Sequence, residues 1–179
     1  MRGRLTLGLG VALSALSLIG VAGCSASGEG AAPRDRSPDA VVADFVPLVD
    51  SVVKATKSEG WHFEDEREWS PSAVGSLRGQ VCSGLEGKHT LQLLLLGESV
   101  SDPKAAVAGI KGYLEDNGFG IANEFTPATG DGEFTITGQR PDGTLVDYRA
   151  RSTGQSLELE SECSSAITFN QNVPVPSGK

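Results

Sequence analysis

The sequence predicts an α+β two-layer sandwich, an antiparallel sheet with two helices packed on one face. Two amphipathic helical stripes stand far apart in the chain, and the other apolar segments alternate with period two between short turns. Strands in runs, with the helices separated among them, favour an antiparallel sheet over the strict strand–helix alternation of a parallel one. The apolar residues of most strands share one parity, so the helices should cover one sheet face and leave the other partly wet.

The first helix should open at Ser37-Pro38, a capping hydroxyl followed by proline at the first helical position. Val42, Phe45, Val49, Val52 and Val53 then recur at three- and four-residue spacing, and Gly60 supplies a left-handed stop. Trp61-His62-Phe63 reads as a short strand, and the acidic run Glu64 to Glu68 with Ser70-Pro71-Ser72 reads as a loop. Strands follow at Leu77 to Ser83 and at Thr90 to Leu96. The second is the most apolar of the chain. Its leucines at 93 to 96 point to a central strand covered on both faces, at least at one end.

Asp102-Pro103 opens the second helix, with Ala106, Val107, Ile110, Tyr113 and Leu114 on one side and Asn117-Gly118 as its stop. The remainder reads as an antiparallel meander: Phe119 to Phe125, Glu133 to Gly138, Thr144 to Arg151, then the alternation of Leu157, Leu159 and Cys163 with Glu158, Glu160 and Glu162. Arg140-Pro141-Asp142-Gly143 places proline and glycine for a hairpin turn. Residues 37–166 therefore form one α+β domain, and 167–179, with prolines and no pattern, are expected to be a loose tail.

The amino terminus carries the sharpest motif. Arg2 and Arg4, an apolar run from Leu5, and the small residues Ala22-Gly23 form a three-part secretory signal over residues 1–23. The next residue is Cys24, and Val21-Ala22-Gly23-Cys24 resembles the bacterial lipobox. That resemblance implies that the Cys24 thiol is alkylated by a diacylglycerol and the chain is cut before it. The thiolate is the good nucleophile that such lipid chemistry needs. Residues 24–36, rich in Gly, Ser, Ala and Pro, read as a flexible tether.

Cleavage removes Arg2 and Arg4, leaving 13 Lys plus Arg against 23 Asp plus Glu, a net charge of −10. Such an acidic surface repels nucleic acid and anionic lipid heads, so the covalent lipid on Cys24 must supply membrane attachment, on the extracytoplasmic side of the cell membrane. With Cys24 committed to lipid, Cys82 and Cys163 remain, an even number in an oxidising compartment. They are read as a disulfide rather than a metal or redox pair, because no Cys-x-x-Cys and no histidine cluster accompanies them.

The layout of lipobox, Gly/Ser/Ala tether, valine helix, cysteine strand, Pro-opened helix, Pro-Asp-Gly hairpin and closing Glu-Ser-Glu-Cys resembles the small exported lipoproteins of actinobacteria, of the LppA-like kind. What the resemblance implies is an anchored domain without an assigned activity. It carries no functional residues onto this chain.

Little else in the sequence points to chemistry. His62 and His89 are the only histidines, and with Glu64 they would make a metal site only if their strands paired. Gly75-Ser76-Leu77-Arg78-Gly79 has its serine one position early for a nucleophile elbow, and Glu158, Glu160 and Glu162 read better as the wet side of an edge than as a catalytic pair. No enzyme, cofactor or metal is expected. An interaction module that binds an envelope protein or glycan is the leading reading, with Leu94, Leu96 and Trp69 as its candidate face. The alternative is a small apolar ligand or lipid held in a cavity between sheet and helices.

Overall fold

The computed structural model describes residues 36–82, 85–168 and 172–174. The signal segment 1–23, Cys24 and the tether as far as residue 35 lie outside the described residues. Helix α1 spans Pro38–Ala55 and helix α2 spans Pro103–Asp116. The strands are β1 (Ser76–Val81), β2 (His89–Gly97), β3 (Gly120–Phe125), β4 (Phe134–Gln139), β5 (Leu145–Arg151), β6 (Gly154–Glu160) and β7 (Asn172–Pro174). They form one sheet in the order β3-β4-β5-β6-β2-β1-β7, every neighbouring pair antiparallel.

Both predicted caps are present. Ser37 Oγ accepts from the Ala40 N–H at 3.3 Å, and Asp102 Oδ1 accepts from the Ala105 N–H at 2.9 Å, each satisfying one of the orphan donors at a helix start. The first helix ends earlier than the glycine signal suggests. It stops at Ala55, and Lys57 takes the left-handed conformation (φ 56°) one turn before Gly60 (φ 73°) makes the next bend.

Alternation along the strands decides which face the helices cover. Ile136, Tyr148, Leu157 and Leu95 are consecutive cross-strand partners, and each is fully buried. Gly138 lies in the same face, and a Cβ there would stand 3.0 Å from Leu114 Cδ1, so α2 rests directly on β4. Val42, Phe45 and Val49 of α1 complete this layer with Ile110 and Leu114 of α2, none more than 3% exposed. Among the described residues, these side chains of sheet and helices belong to one buried cluster.

Three segments depart from expectation. β6 is a central strand between β5 and β2, so its glutamates do not mark an edge. Residues 172–174, expected to be loose, pair with β1 at Ser76↔Pro174 and Arg78↔Asn172. Ile167, placed in the same tail, is 1% exposed, so the domain core runs past residue 166. Residues 169–171 and 175–179 lie outside the described residues.

The two remaining cysteines are joined, Cys82 to Cys163 across a sequence separation of 81. The fold brings them together at the start of β2. His89 exchanges backbone hydrogen bonds with Ser164 (3.0 and 2.8 Å), while the Cys82 N–H donates to the Lys88 carbonyl at 3.0 Å.

Candidate functional site: the helix-free sheet face and its edge cleft

The sheet face opposite the helices carries the residues of the other parity. Across the strands, Leu94 stands beside Glu158, Glu158 beside Asp147, and Asp147 beside Thr137. The rung on one side holds Arg78, Gln92, Glu160 and Leu145; the rung on the other holds Leu96, Ser156, Arg149 and Thr135. Leu94 and Leu96 are half-buried here, so two of the three candidate residues lie on one face.

Trp69 does not join them. His62 pairs with both Leu96 and Glu68, which sets the register of the 61–69 hairpin and turns Trp69 to the opposite side. It is 9% exposed, packs in the core, and stacks at a tilt on Phe63 with 5.7 Å between ring centroids. The expected binding face therefore loses its aromatic residue.

Several polar groups of this face are tied to one another. Thr137 Oγ1 donates to Asp147 Oδ2 at 2.9 Å, and Arg149 Nε donates to Asp147 Oδ1 at 2.7 Å. Asp147 thereby holds the Arg149 guanidinium in its charged form. Gln92 Nε2 donates to Glu158, and Arg151 pairs with Glu133 at 2.8 Å. Glu160 differs. Partial burial, reinforced by the charge of Glu158 on the same face, pushes its carboxyl above the ordinary value of 4.5.

At the β1 side of β2 the sheet has a gap. β1 pairs with β2 only as far as Arg78↔Gln92, and the next partner on that side is His62 at Leu96, with both hydrogen bonds 2.9 Å. Antiparallel alternation turns the Leu94 N–H and C=O toward the same side, where no strand residue among the described residues pairs with them. A cleft of about 530 Å³ occupies the gap. Its floor is apolar, with Phe63, Val74, Leu77 and Leu93 each no more than 9% exposed. Its rim carries Glu64, the ion pair Asp65–Arg67 (2.7 Å) and Arg78. Arg67 also lies over the Phe63 ring, 4.7 Å from its centroid.

The histidine-based metal site does not assemble. His62 and His89 sit against opposite ends of β2, separated by about 20 Å at the usual rise of an extended strand. Among the described residues no group of three or more His, Cys, Asp or Glu side chains is arranged to hold a metal ion. The edge cleft was not legible in the sequence. It depends on where β1 diverges from β2, a non-local event that Leu94 and its neighbours do not encode.

No protein-family model matches the chain, and no curated protein matches it. Among solved structures the fold is similar to that of a DUF4853 family protein from the actinobacterium Actinomyces odontolyticus, with a TM-score of 0.54 at 15% identity. The likeness covers 81% of this chain and 80% of that one. It shows a shared architecture.

Proposed function

We propose that this chain is a lipid-anchored protein of the cell envelope whose folded domain is a protein-interaction module rather than an enzyme. The observation that carries the reading is the sheet with both helices on one side. Its other face presents Leu94 and Leu96 among paired charges. Half-buried leucines supply apolar area to a partner, and the surrounding carboxylates and guanidiniums fix orientation and discriminate against wrong partners. A protein partner suits this better than a glycan, since among the described residues Phe125, at the β3 edge, is the one exposed large aromatic, 54% exposed.

Anchoring rests on Val21-Ala22-Gly23-Cys24. No helix among the described residues is long and apolar enough to cross a membrane. Attachment is assigned to acyl chains on Cys24, of which two or more hold a protein firmly at a bilayer. The acidic mature chain is displayed on the extracytoplasmic side and has no affinity for nucleic acid.

Site-specific photo-crosslinking in the native envelope tests the interaction. A crosslinker at Leu94 or Leu96 should give a discrete adduct, and one at Lys104, exposed on α2, should not. Adducts from Lys104 alone, or from none of the three, would overturn the assignment of this face.

A further inference from the structure

We propose that the edge cleft binds a short apolar peptide with free termini: Arg78 takes the carboxylate, Glu64 the ammonium group, and the open rung of Leu94 the backbone. The inference rests on the reading of the domain as an interaction module and narrows the chemistry of what it recognises.

Three independent features of the cleft converge on this ligand. The first is the missing rung. Leu94 turns an N–H and a C=O toward the gap, and a ligand that completes the rung must offer both an acceptor and a donor at peptide spacing. A fatty acid offers only acceptors. The rung is a single one, closed off by Arg78↔Gln92 below and His62↔Leu96 above, so a short peptide fits where a long added strand does not.

The second is charge. Asp65 and Arg67 neutralise each other at 2.7 Å, whereas neither Glu64 nor Arg78 has a hydrogen-bond or ion-pair partner among the described residues. The rim therefore offers one free anion and one free cation, the complement of a zwitterion rather than of a simple anion. The third is the floor. Phe63, Val74, Leu77 and Leu93 present apolar surface at the bottom of about 530 Å³, within the range of roughly 300–1,000 Å³ typical of small-ligand sites. Apolar side chains alternating along an extended backbone reach that floor from the rung.

Calorimetric titration of trileucine into the full acylated protein in lipid nanodiscs tests the proposal. Saturable binding is expected, weakened about tenfold by Arg78→Ala and by Glu64→Gln, since each removes one charge-assisted contact. N-acetyl-trileucine amide should bind at least about tenfold more weakly than trileucine for the same reason. Lys104→Ala should bind like the parent. Both cleft substitutions are at exposed side chains, and unchanged melting temperatures confirm that the fold is kept.

Absence of saturable trileucine binding overturns the proposal. So does equal affinity for the capped peptide, or decanoate binding more tightly than trileucine with the same dependence on Arg78. If trileucine fails while Leu94 still crosslinks to a partner in the envelope, the peptide site falls and the interaction module stands. If peptide binds and crosslinking fails, the reverse holds.

Discussion

Leu94 stands opposite Glu158 on the helix-free face, while the next residue, Leu95, stands opposite Leu157 beneath the helices. One residue's shift along β2 thus separates a surface position from a fully buried one. Leu95→Ala should cost about 2–5 kcal/mol, the usual loss for a buried leucine that leaves a cavity. Leu93→Ala, 9% exposed at the cleft floor, should fall near the lower end of that range. Leu94→Ala and Leu96→Ala, half-buried, should cost less than half as much as Leu95→Ala. Urea midpoints of the four variants check this, and equal losses at Leu94 and Leu95 would mean that the second face is also covered.

The Cys82–Cys163 bridge closes a long loop, since its ends lie 81 positions apart in the sequence. In the chain-entropy account such a closure is worth up to about 4.5 kcal/mol. Alkylation followed by intact mass should find two reactive thiols only after reduction. The reduced protein should unfold at a clearly lower denaturant concentration. Free thiols in the exported, untreated protein would contradict the assignment.

Glu160 makes a pH-dependent prediction with a definite sign. Its folded carboxyl is raised above the unfolded value of 4.5, chiefly by burial and then by the charge of Glu158. A raised acid favours the folded state below the unfolded value and loses that contribution as pH climbs through the folded one. At neutral pH the ionised Glu160 is therefore a burden. Glu160→Gln should stabilise the protein at pH 7 and give no gain at pH 3. Thermal melts of both proteins across that range decide it, and a larger gain at pH 3 than at pH 7 would reverse the sign.

Local signals made much of this fold legible. Ser37-Pro38 and Asp102-Pro103 marked both helix starts because a cap is a short-range hydrogen bond between neighbours. Alternation set Leu157 and Leu159 on the buried side against Glu158 and Glu160, and counting cysteines paired Cys82 with Cys163. What escaped depends on distant partners. Trp69 is buried because His62 pairs with Leu96 across 34 positions, and the direction of an isolated tryptophan in a loop is not set by its neighbours. Residues 172–174 become a strand because β1 offers them an edge, and proline there removes a donor without preventing pairing at an edge strand. The gap at Leu94 has the same origin.

Anchoring through Cys24 is the claim on which the account of this protein's place and role depends, and fractionation of its native host tests it most directly. The parent should partition into detergent as a mature chain beginning at Cys24 and carrying diacylglycerol mass. Cys24→Ala should either leave the membrane or accumulate as an uncleaved precursor. A Cys24→Ala protein of mature size that still partitions with membranes into detergent would contradict the lipid anchor.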